Sequence, residues 1–154
     1  MQEKVIQYAG FWQRTFASII DAILGAMITF PLLISVYGWE YFDMEEFVVG
    51  PADFLISYVL PAIAVITFWI YKLATPGKMA ISAKIVDATT GKAPTGWQFV
   101  GRYLAYFVSI LPLGLGILWV AFDRRKQGWH DKLAGTVVVR EVRLGPEPVV
   151  FADK

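Results

Sequence analysis

Three apolar runs of roughly twenty residues each constrain this chain more than any other feature of it. They lie at residues 16–36, 54–72 and 102–123, and apart from the bounding Lys72, Arg102 and Asp123 they carry one charge, Asp21. A helix needs roughly 20 residues to cross a hydrocarbon core of about 30 Å. Two such helices already place the 154-residue chain in the bilayer. Composition agrees: 18% of residues are charged, against about a quarter in soluble domains, and the mean hydropathy is +0.52.

The fold class that follows is a membrane all-α core. Two full transmembrane helices (16–36 and 54–72) are joined by a re-entrant or third membrane helix (102–123) and a small cytoplasmic β element. The length allows a single domain, 1–154. Strands are expected within 78–87 and at 136–142, where β-branched residues cluster. Trp39, Tyr41, Trp69 and Tyr71 stand near the expected boundaries, as an aromatic belt would. Pro31 and Pro61 fall inside the runs, which membrane helices tolerate. The N-terminal stretch lacks the layout of a cleaved signal peptide, so the first span is expected to be retained.

Charge assigns the sides. Residues 38–53 carry Glu40, Asp43, Glu45, Glu46 and Asp53 and no basic residue, whereas 72–102 carry Lys72, Lys78, Lys84, Lys92 and Arg102 against Asp87 alone. The positive-inside rule puts the basic segment in the cytoplasm together with the N-terminus. A full third crossing would carry Arg124, Arg125, Lys126, Lys132, Arg140 and Arg143 to the outside, against that rule. Pro112-Leu113-Gly114-Leu115-Gly116 in mid-run is a natural turn. A re-entrant hairpin, with both termini cytoplasmic in an inner (cytoplasmic) cell membrane, is therefore favoured over a third span.

Arg14 and Asp21 are seven residues apart, close to two helical turns, and share one face with the small residues Ala17, Ser18 and Gly25. Ser18, Ala22 and Ala26 recur every four residues, a spacing that suits close helix packing. A carboxylate within a membrane helix costs roughly 2.5–3.5 kcal/mol unless paired or protonated. Arg102 is one candidate partner for Asp21. Arg14 is another, although about 10 Å away along the axis. The cluster reads equally as an ion or proton site and as a static pair that fixes helix packing.

Thr75-Pro76-Gly77-Lys78 reads as a turn after the second span and lacks phosphate-loop spacing; Lys78 reads most simply as a cytoplasmic anchor. The basic residues Arg124, Arg125 and Lys126 suit anionic headgroups. His130, the one histidine, has no second histidine or cysteine to form a metal site with, and beside Asp131 it reads first as a structural hydrogen-bonding pair. No nucleophile elbow occurs. Neither an enzyme, a cofactor nor a nucleic-acid partner is expected.

Several segments together resemble the RDD family of membrane proteins: F-W-x-R-x-x-A-x-x-x-D at 11–21, T-P-G-K at 75–78, K-I-V-D-x-x-T-G at 84–91, G-R at 101–102 and H-D-K-L-A-G-T-V-V-V at 130–139. The resemblance covers about residues 11–140. It implies at least two spans, and that Arg14, Asp21 and Asp131 are the signature arginine and two aspartates. Transport is the activity proposed for the family. The expected function is thus an ion/proton or small-solute transporter, working as a homo-oligomer because so few helices enclose no lumen. The expected site is Arg14, Asp21, Asp131 and Arg102, with His130, Lys78 and Ser18 secondary. The alternative is a non-transporting membrane adaptor or scaffold subunit.

Overall fold

The computed structural model describes residues 4–143. Strand β1 (Lys4–Tyr8) leads into α1 (Phe11–Tyr37), a helix of 27 residues. It starts five residues ahead of the apolar run because the Gly10 N–H is taken by Gln13 Oε1 at 2.9 Å, which supports a helix start there. Arg14 therefore belongs to the helix itself. A 3-10 turn (Trp39–Asp43) follows, then α2 (Pro51–Lys72). Its stretch Leu55–Val59 is wound as a π-helix. Pro61 lies just beyond and has no N–H to continue the regular ladder.

α1 and α2 are long and apolar enough to cross a membrane, and few of their side chains are fully buried within the chain. Within the chain Ser18 and Ala22 are exposed, and α1 is approached by Gly77 at Ala17 and Asp21. Asp53, read as a loop acid, is buried where α2 begins. It accepts from the Tyr41 hydroxyl (2.8 Å), the Val49 N–H (3.0 Å) and the Ser57 hydroxyl (2.6 Å), fastening the acidic loop to α2.

The short helix α3 (Pro76–Ala80) precedes β2 (Ala83–Asp87), which is why the second strand begins later than its β-branched composition suggests. Helix α4 (Gly96–Ile110) opens at a capping box: Thr95 Oγ1 accepts from Gln98 N–H, and Gln98 Oε1 accepts from Thr95 N–H at 2.8 Å. At 111–114 the chain turns into α5 (Leu115–Leu118, prolonged by a 3-10 turn over Trp119–Ala121), bent by 111° from α4. The two pack closely because residue 116 is glycine; a Cβ there would stand 2.6 Å from Ser109 Cα. Helix α6 (Trp129–Ala134) and strand β3 (Thr136–Arg143) complete the described chain.

The strands form one antiparallel sheet of order β1-β3-β2, with Val86 opposite Val137 and Tyr8 opposite Val139. The pairing of β2 with β3 was expected; β1 was not. Because β1 precedes α1, β2 follows α2 and β3 follows the bent pair, each excursion returns to this sheet. Beneath it Ala9, Ala83, Ile85 and Val138 close over Trp69 and Phe99. Trp69, expected in an aromatic belt, is a buried core residue instead, whereas Trp39 and Tyr71 are exposed.

Candidate functional site

The charged residues meet under the sheet, where α1, α4 and α6 converge. Asp131, on the first turn of α6, is fully buried. One carboxylate oxygen accepts from Arg102 Nη1; the other accepts from Arg14 Nη1 at 2.5 Å and from the Gly128 N–H at 3.0 Å. Arg102, also fully buried, donates further to the Thr136 hydroxyl at 2.6 Å. Its guanidinium lies over the Trp69 ring at 5.3 Å and the Tyr106 ring at 5.8 Å, so its faces meet π-electrons rather than hydrocarbon. Arg14 Nε donates to the Ala9 carbonyl at 3.2 Å, tying α1 to the end of β1.

One carboxylate thus serves two arginines. Burial works to raise the Asp131 pKa, but the charges of Arg102 and Arg14 outweigh it and hold the carboxyl well below the usual range. Removing the shared anion would strand two buried cations; breaking such a buried pair costs about 3–5 kcal/mol.

His130 is also buried. Its ring stacks on Tyr106 at 3.9 Å, its Nδ1 lies 3.3 Å from the Ser109 hydroxyl, and its N–H donates to that hydroxyl at 3.0 Å. Burial pushes its pKa down to about 3, with Asp131 opposing the shift and Arg102, Arg14 and Lys78 adding to it. The ring is neutral at physiological pH.

Asp21 joins neither arginine. It accepts from the Thr75 hydroxyl and, at 2.6 Å, from the Gly77 N–H. The candidate pairings with Arg14 and Arg102 are therefore replaced by one with the first turn of α3. Residue 77 can only be glycine in this arrangement, because a Cβ would fall 1.9 Å from the Ala17 carbonyl oxygen. Sequence reasoning found Asp21 but missed this acceptor role, although T-P-G-K is the signal: a hydroxyl and a free N–H at the head of a helical turn. Lys78, taken for a surface anchor, is buried, and Nζ reaches the Thr75 hydroxyl at a long 3.5 Å. Burial pushes its pKa down. Thr75, Thr136, Tyr106 and Ser109 were missed as well, being ordinary residues until the fold assembles them.

Arg14, Ser18, Lys78, Tyr106 and His130 border a cleft of about 440 Å³, and Phe11, Leu113, Ile117, Leu118 and Val120 supply much of its apolar wall. Among the described residues, Arg14 Nη2 is a buried donor without a hydrogen-bond partner. Three cations (Arg14, Arg102 and Lys78) stand against two carboxylates (Asp131 and Asp21). No grouping of three or more histidines and carboxylates suited to a metal occurs among the described residues.

Residues 8–135 match the model of the RDD family. An uncharacterised protein of Rickettsia prowazekii is 45% identical over 75 residues, 49% of this chain, and the match spans only 41% of that protein's length. The uncharacterised protein YxaI of Bacillus subtilis is 29% identical over 85% of this chain and 96% of its own. The uncharacterised membrane protein YteJ of the same organism is 31% identical over 87% of this chain and 82% of its own. No solved structure matches.

Proposed function

The chain belongs to the RDD family, and from that premise we propose that it is a membrane transport subunit. In this reading the Arg14–Asp131–Arg102 cluster and Lys78 form the polar end of a path for an ion or small solute. One observation carries it: Arg14 and Lys78 line a cleft, and Arg14 Nη2 lacks a hydrogen-bond partner while Lys78 Nζ has only a long contact to Thr75.

The charge balance weights the path toward anions. A cation or proton route would have to run through Asp21, whose oxygens are both engaged by α3. The basic sheet side is cytoplasmic in this reading, with both ends of the described chain there, and the α4–α5 hairpin enters the bilayer and returns. Two spans and a hairpin enclose no continuous lumen, so the working unit is a homo-oligomer. A second reading, a membrane adaptor, is supported by the outer edge of β1, which pairs with no further strand among the described residues and offers backbone pairing to another chain.

Reconstitution of the purified protein tests the transport reading. Proteoliposomes should pass a small anion faster than protein-free vesicles, and Lys78→Gln should slow that flux at least tenfold. If anion, cation and proton movements all stay at the level of empty vesicles, the reading is removed.

A further inference from the structure

We propose that the cleft between α1 and the α4–α5 hairpin receives an amphiphile whose phosphate head meets Arg14 and Lys78 and whose tail lies along the hairpin. The inference rests on the transport reading in that it names the class of molecule the same cleft takes.

Three observations converge on this ligand. The first is charge: the site carries one more cation than carboxylate, and its neutral His130 adds none. Arg14 brings a planar guanidinium with Nη2 unpartnered, and Lys78 brings a buried ammonium with only the long contact to Thr75. One unpartnered guanidinium nitrogen and an ammonium on one side of a cavity suit an oxyanion with several acceptor oxygens. Burial disfavours the charged form of Lys78, and an arriving anion would relieve that penalty.

The second is shape. A free phosphate ion is far smaller than a cleft of about 440 Å³, a size that falls within the range of drug-sized ligands. Beyond the cations the walls are Phe11, Ile117, Leu118 and Val120, which fit a hydrocarbon tail.

The third is access. Leu113, at the hairpin turn, lines the cleft and is 94% exposed, and Leu118 beside it is 45% exposed. Apolar residues so exposed at a cleft rim open it toward hydrocarbon, the source of an amphiphile rather than of a free ion.

Native mass spectrometry of the purified full chain in a neutral detergent tests the proposal with three probes: dihexanoyl phosphatidic acid, dihexanoyl phosphatidylcholine and inorganic phosphate. Phosphatidic acid should bind at least tenfold more tightly than phosphatidylcholine of the same chain length, and inorganic phosphate should not displace it at equal concentration. Lys78→Gln should weaken binding tenfold or more. Because Lys78 is buried, Ser18→Phe provides a second variant: Ser18 is exposed on α1 at the cleft, so the new ring fills the cavity while leaving the melting temperature unchanged. Equal affinity for the two lipids overturns the proposal. So does retention of phosphatidic acid by Ser18→Phe, which would move the lipid to the surface arginines 124 and 125. Inorganic phosphate competing as well as the lipid overturns it in favour of a small-anion site. Specific lipid binding with no solute flux in proteoliposomes upholds this inference while sinking the transport reading. Small-ion flux without lipid binding does the reverse.

Discussion

At the scale of single residues, the site depends on unequal partners. Asp131 is the anion for two guanidinium groups, and His130 beside it is held neutral by burial. This makes stability depend on acid in a definite direction. In an unfolded chain His130 takes a proton near pH 6.5, but in the fold only near pH 3, so between those values the unfolded state binds more protons and stability falls as pH falls. Above about pH 6.5 the histidine has no effect. At pH 5 the loss is about 2 kcal/mol, and below the ordinary aspartate range Asp131 adds to it, because its folded pKa is lowered too. Melting in detergent should show a transition temperature that is flat from pH 8 to 7 and drops by pH 5, with His130→Phe flattening the drop. An unchanged wild-type melting temperature between pH 7 and 5 would contradict the assignment. That Arg14, Asp21 and Asp131 are charged residues within the family motifs was legible from the sequence. Their pairing was not, because Arg14 and Asp131 stand 117 positions apart and no local spacing connects them.

Individual elements show where sequence patterns reach and where they stop. The apolar runs predicted α1 and α2 well because hydrocarbon permits little else at such length. They misplaced the start of α4, since the capping box of Thr95 and Gln98 starts the helix at Gly96, six residues before the run begins. β1 was invisible for a related reason: five residues ahead of a span read as a flank, and only β3 gives them partners. The α1–α3 junction is the most sharply constrained of these elements. Gly77→Ala would push a methyl group into the Ala17 carbonyl, and such overpacking costs about 1–3 kcal/mol or more. The variant should melt well below wild type and lose the Asp21 contact. Gly96→Ala, with nothing within 4 Å of the new Cβ, should melt at or above wild type. Equal melting of the two variants would mean that α3 does not seat on α1 as described.

For the whole molecule, the sheet adds a constraint that hydropathy lacks. Hydropathy left the third run open between a crossing and a hairpin, because both need apolar residues in the same number. In the structure β1, β2 and β3 share one sheet, and the third run bends by 111° between α4 and α5. The chain has no cysteine, so single cysteines report sidedness cleanly. With Thr90→Cys, Arg124→Cys and Glu45→Cys in intact cells, an impermeant maleimide should modify only position 45, and the other two should react after permeabilisation. Labelling of position 124 together with 45 would mean a third full crossing and would break the sheet.

The sharing of Asp131 by two arginines also sets an order of events at the ribosome. Arg14 and Arg102 are made and threaded toward the bilayer well before their common counterion is synthesised, so the early chain must keep both guanidinium groups near water or headgroups. The hairpin and α1 lock in place only when α6 emerges. A chain stopped short of residue 131 would hold two cations without their shared counterion.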